Sequence, residues 1–142
     1  MMNRFEAERR FGEARVGHLA TNGPEGRPHL VPCTFAVHDD QVVSVVDEKP
    51  KRTKRLQRLA NIAADPRVSV LVDRYDEDWT RLWWIRADGI AVVREEGPER
   101  DAAVQALAAK YPQYVAEPPT GPAIIVVVDR WSWWTAAPDV EP

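Results

Sequence analysis

Period-two alternation of apolar and polar positions runs through most of the chain, interrupted by three stretches whose apolar residues recur at helical spacing. Phe5, Ala7, Phe11 and Ala14 lie among charges and predict a short N-terminal helix ending near Gly12. Val16–Thr21 reads as a strand, residues 22–26 (NGPEG) as a Gly/Pro turn, and Pro28–Val37 as a second strand, which together make a hairpin. His38, Asp39 and Asp40 turn the chain into a third strand, Gln41–Asp47. Leu56, Leu59, Ala60 and Ala63 then recur at i, i+3, i+4 and i+7, and Asp65-Pro66 stops that helix before a fourth strand, Arg67–Asp73. An acidic loop, residues 75–78, leads to a long fifth strand around Arg81–Val93, in which Gly89 marks a bulge or bend. Gly97-Pro98 opens a third helix with Val104, Leu107, Ala108 and Tyr111 on one face, and Pro112 ends it. After a Pro-rich loop, Ala123–Asp129 is β-branched and continues through Arg130–Trp134 as the last strand.

Six strands joined first by hairpins, with helices inserted later, predict one domain over residues 1–142: an antiparallel barrel or barrel-like α+β domain, mainly β. A doubly wound nucleotide fold is disfavoured, because no glycine falls into a GxGxxG or phosphate-loop pattern after a strand. With 44% hydrophobic and 29% charged residues the chain reads as globular, and it lacks both an apolar run of membrane-spanning length and a signal-peptide core, so a cytoplasmic location is expected. The net charge of −3 argues against a nucleic-acid partner. Cys33 is alone and reads as a small core residue. His29 and Cys33, four apart on a strand, would lie about 13 Å from one another, too far to share a metal ion, so with His18 they are expected to be structural or ligand-lining.

Charge distribution changes the picture. Six Lys or Arg residues fall between Lys49 and Arg58, where a strand gives way to a helix. Cations at a helix N-terminus oppose the helix dipole at a cost of roughly 0.3–1 kcal/mol each. Free backbone N–H groups, basic side chains and the Thr53 hydroxyl at that place make a receptor for phosphate or carboxylate. Six tryptophans form the second anomaly: Trp79, Trp83, Trp84, Trp131, Trp133 and Trp134. Alternation sends adjacent members to opposite sides of a strand, so one enters the core while the other meets a partner or ligand. A flavin-like cofactor, with an anionic tail and a flat redox-active ring, satisfies both anomalies without a catalytic side chain, and none is identified. A chain this short encloses such a ligand poorly, which favours a dimer.

The segments VGHLATNGPEGRPHLVPCTFAV, KPKRTKRLQRLANIAADPRVSVLVD and DRWSWW resemble, in that order, the split-barrel flavin and deazaflavin oxidoreductases, the group that includes pyridoxamine 5′-phosphate oxidase. The middle segment is the most specific, with its basic stretch before Asn61-Ile-Ala-Ala-Asp65-Pro66. The chain is most similar to the actinobacterial branch that uses the deazaflavin coenzyme F420. That resemblance implies a six-stranded antiparallel split β-barrel with a few peripheral helices, a homodimer with cofactor clefts at the subunit interface, and hydride transfer to a conjugated or unsaturated organic substrate. It also implies that Lys51, Arg52 and Thr53 hold the cofactor phosphate, with Arg55 and Arg58 as further ligands. By the same resemblance Pro32, Thr34, Trp79 and Trp133 or Trp134 line the ring. Two alternatives stand beside this one: an FMN-dependent oxidase, and a non-catalytic protein that binds a cofactor or haem.

Overall fold

The computed structural model of the protein describes residues 2–46 and 56–136. Helix α1 (Arg4–Glu13) starts where the Asn3 side chain accepts a hydrogen bond from the Glu6 N–H at 2.9 Å, and it buries Ala7 and Phe11. Strands β1 (Gly17–Asn22) and β2 (Pro28–Cys33) form the expected hairpin, with Gly17 opposite Cys33 and Asn22 opposite Pro28. Then come β3 (Ala36–His38), β4 (Gln41–Val45), α2 (Gln57–Ala64), β5 (Arg67–Arg74) and β6 (Trp83–Arg94). Helix α3 (Pro98–Lys110), a one-turn α4 (Gln113–Ala116) and β7 (Ala123–Thr135) complete the chain.

Among the described residues seven strands, not six, form one antiparallel sheet in the order β2-β1-β5-β6-β7-β4-β3. The predicted strand over Pro28–Val37 divides at Thr34-Phe35, because β1 supplies no partner beyond Gly17 and the chain crosses to pair with β4 instead. The two ends of the sheet are therefore consecutive in sequence. Cys33 and Ala36 lie on opposite edges, yet two residues can bridge no more than about 11 Å. The sheet must roll until its edges meet there, closed by the chain itself and not by a ladder of hydrogen bonds.

The rolled sheet encloses a core of Leu19, Val42, Val70, Val72, Ile85 and Val126, with Phe11 and Phe35 packed 5.0 Å apart at one end. Helix α2 adds Leu59 and Ile62 to that core. Helix α3 builds a second core outside the barrel from Ala103, Leu107 and Tyr111 against Ala36, Val43, Val45 and Ile125. Both faces of β7 are thus covered at its start, which explains why Ala123–Val126 is apolar without alternation.

At Asp88/Gly89 the register between β6 and β7 shifts, which gives the expected bulge. A Cβ on Gly89 would stand 2.2 Å from the Val127 carbonyl oxygen. Because that neighbour is backbone, it cannot step aside. We expect Gly89→Ala to lower stability by about 3 kcal/mol, the upper part of the overpacking range. Urea denaturation would show this as an earlier midpoint at constant slope, whereas an unmoved midpoint would mean that the bulge does not require glycine.

Candidate functional site

Thr34 and Phe35 sit where the sheet has no ladder to offer, so their backbone groups need other partners. The side chains of Ser44, Lys110 and Tyr111 supply them. Ser44 on β4 donates its hydroxyl to the Thr34 carbonyl at 2.8 Å. The Phe35 N–H donates to the Tyr111 hydroxyl at 3.3 Å, and that hydroxyl donates in turn to the Arg15 carbonyl at 2.9 Å. Lys110 Nζ donates to the Phe35 carbonyl at 2.9 Å and stands 3.9 Å from the centre of the Phe35 ring. The Thr34 and Tyr114 hydroxyls lie 2.7 Å apart. Consecutive residues, Lys110 and Tyr111, thereby satisfy both backbone groups of Phe35.

Charge gathers on the same side of the crossover. Arg58 lies in the first turn of α2, and its Nε is buried with no hydrogen-bond partner among the described residues. That turn has no side-chain cap and no acidic residue. Its guanidinium acts on the Cys33 thiol, which burial pushes upward against the lowering influence of Arg58, the Ser44 hydroxyl and Lys110. Burial, helped by the Arg15 charge, pushes Lys110 down to about 8. A buried guanidinium nitrogen without an acceptor costs free energy that a bound anion would recover, and a bare helix start is a place where anions bind. The chemistry of this donor set fits a phosphate.

On the outer face of the barrel a second feature faces away from Arg58. Register aligns Pro32, His18, Leu71, Arg86 and Ser132 across five strands, and one step further Asp73, Trp84 and Trp134. A cleft of about 490 Å³ is lined by Trp83, Trp84, Trp134, Tyr75, Leu71 and Arg86. Trp84 and Trp134 lie directly opposite one another, and Trp134 keeps 46% of its surface exposed. The Arg86 guanidinium lies 5.7 Å from the Trp84 ring and is paired with Asp88. The volume suits a small planar ligand.

The expected site residues separate accordingly. Lys51, Arg52, Thr53 and Arg55 lie outside the described residues. Thr34 lies at the crossover with its hydroxyl on that of Tyr114, and Arg58 acts on the neighbouring Cys33. Pro32 and Trp134 share the outer face, while Trp133 turns inward and donates from Nε1 to the Met2 carbonyl at 3.1 Å. Trp79 stands 67% exposed in a turn capped by Asp78, with its indole N–H on the Tyr75 hydroxyl. His18 points outward, and His29 inward with Nδ1 buried and without a partner among the described residues. Ser44, Lys110 and Tyr114 were not foreseen: a lysine before a helix end and a tyrosine after a proline look like ordinary solvent-facing residues.

The family model described as pyridoxamine 5′-phosphate oxidase matches residues 5–136. A conserved hypothetical protein from Mycobacterium tuberculosis is 26% identical, with a TM-score of 0.78 over 96% of this chain and 86% of that one. A heme binding protein from Mycobacterium smegmatis is 23% identical, with a TM-score of 0.73 over 90% of this chain, which spans about half (52%) of that protein's length. A FAD-binding protein from Mesorhizobium loti is 21% identical, with a TM-score of 0.66 over 93% of this chain and 94% of that one. No curated protein matched the chain.

The lysine at the crossover makes stability depend on pH. Its folded value, about 8, lies below the unfolded 10.5, so between them the unfolded chain holds a proton that the folded chain lacks. Stability contributed by this group therefore rises with pH through that window. From pH 9 the raised Cys33 thiol pulls the other way, since it keeps its proton longer when folded. Thermal midpoints between pH 7 and 9 should climb more steeply in the wild type than in Lys110→Met. Parallel curves would show that the amine is not desolvated.

Proposed function

The chain belongs to the pyridoxamine 5′-phosphate oxidase family, and from that membership we propose that it is a cytoplasmic, homodimeric oxidoreductase using the deazaflavin F420. The Arg58 guanidinium, with a buried Nε that has no partner among the described residues at an uncapped helix start, carries the proposal. It calls for an anion, and a cofactor phosphate is the anion that a site beside a basic segment in this family would take. Lys51, Arg52, Thr53 and Arg55 precede Arg58 in sequence and join it in holding the phosphate. Bound deazaflavin supplies two-electron hydride exchange with a conjugated or unsaturated organic substrate. The chain's own residues bind and orient.

Two faces of one sheet are involved, and this favours a dimer. Arg58 acts on Cys33, whose side chain faces the interior, whereas Trp84 and Trp134 face outward three to four strands from β2. One molecule of flavin size touches both only if a partner copy brings its outer face to the crossover. In this reading Arg58 and Thr34 of one protomer hold the phosphate end, and the outer face of the partner copy, with its Pro32 and outer tryptophans, borders the ring. The exposed Leu30, Ile90, Val127 and Trp134 side chains supply apolar surface for such an interface.

A second reading changes the ligand and seats it on the inner side of β2 rather than in the outer cleft. Nδ1 of the half-buried His29 lacks a partner among the described residues, and an imidazole is a common haem-iron ligand. A haem-binding protein without turnover would use that nitrogen. FMN, with the same phosphate, would make the protein an oxidase.

Titration with F420, FMN and haem in parallel separates these readings. We expect F420 to bind in the micromolar range or tighter and to be turned over in its reduced form. Arg58→Gln should weaken binding by about 1.5–3 kcal/mol, a charge-assisted hydrogen bond, which is roughly tenfold or more in Kd. Its thermal midpoint should hold or rise, since a guanidinium whose buried Nε has no acceptor among the described residues is removed. Equal affinity in a folded Arg58→Gln protein would remove the phosphate assignment. Haem binding lost in His29→Ala, without F420 binding in the wild type, would establish the second reading.

A further inference from the structure

The crossover is held by α3 and α4 through three residues of one short stretch, Lys110, Tyr111 and Tyr114, and only one of these carries a charge. We propose that Lys110 is a positioning residue for the anion site: its ammonium pins the Phe35 carbonyl, fixing the wall of β2 that faces Arg58, and ligand affinity follows the charge on that amine. The inference rests on the reading of the crossover as a phosphate site. Three observations carry it. Nζ reaches the Phe35 carbonyl at 2.9 Å, so the crossover backbone is bonded to a side chain on the far helix. The amine sits 3.9 Å from the centre of the Phe35 ring and 5.2 Å from that of Tyr111, partly out of water. Its charge acts on Cys33, as does that of Arg58, so the two cations bracket the same residue from α3 and α2.

Neutral Lys110 remains a weaker donor to the carbonyl, and one positive charge beside the anion is lost. Both effects lower affinity. The groups facing the amine are Arg15 before β1, Cys33 on β2 and Tyr111 beside it. The thiol and the Tyr111 hydroxyl are both raised by burial, and arginine keeps its charge throughout. Within this group Lys110 alone changes charge between pH 7 and 9. The phosphate monoester of FMN is already dianionic over that range, and the phosphodiester of F420 holds a single negative charge throughout it.

Titration of the full-length protein with F420 and with FMN, at pH 7 and pH 9, tests the proposal in the wild type, Lys110→Arg and Lys110→Met. We expect wild-type affinity to fall about tenfold across the interval, the scale of one lost charge-assisted bond. Lys110→Arg should stay tight at both values, and Lys110→Met should be weak at both. Amide hydrogen exchange at Phe35 and Ala36 gives a readout without ligand: Lys110→Met should speed it at least tenfold and Lys110→Arg should not. A wild-type profile retained in folded Lys110→Met overturns the positioning role, as does unchanged exchange. Binding of neither probe by the wild type, with exchange still accelerated in Lys110→Met, refutes the cofactor reading and the ligand half of this one, and leaves only the pin.

Discussion

The structure depends on how two residues without a strand partner satisfy their backbone. Thr34 and Phe35 carry the chain from one edge of the sheet to the other, and no ladder exists for them. Leaving a buried N–H and C=O unpaired would cost about 1–3 kcal/mol for each group. Ser44, Lys110 and Tyr111 take the place of the ladder, while the Phe35 ring fills the end of the core against Phe11. The same solution draws polar and charged side chains from β4, α3 and α4 to one place, with Arg58 approaching from α2. A site arises there because closing the barrel requires it.

Much of the architecture was legible because it follows from local pattern. Alternation gave the β1–β2 hairpin, Asp65-Pro66 gave the end of α2, and Gly89 gave the bulge, each through a residue whose chemistry permits little else. The division of the second strand was not legible. Thr34, Phe35 and Ala36 are all good strand residues, and no glycine or proline follows Cys33 to mark a break. The break is set by where β1 begins, a tertiary fact. The same limit applies to charge: Arg58 lies in a basic run and reads as one more solvated side chain, until α2 packs on the barrel and buries its Nε.

The tryptophans show how far parity can be taken. Adjacent pairs were expected to split between core and surface, and Trp133 and Trp134 do so, one bonded to Met2 and the other exposed. Trp84 and Trp134 then meet across two strands and create a cleft that no single segment encodes. Family membership gives the scaffold, and a heme binding protein and a FAD-binding protein share its fold. Fold alone does not choose among flat ligands. The proposed choice of F420 rests on the cation at the crossover and on the resemblance of the basic segment.

The central claim is a ligand held between the crossover of one protomer and the aromatic face of its partner, and subunit mixing tests it directly. Arg58→Ala and Trp134→Ala should each bind F420 poorly as homodimers. Unfolded together and refolded, they should form mixed dimers in which one of the two clefts draws an intact Arg58 from one chain and an intact Trp134 from the other, restoring tight binding at about a quarter of all sites. A refolded mixture that binds no better than either parent, with mixed dimers present, would contradict the shared cleft.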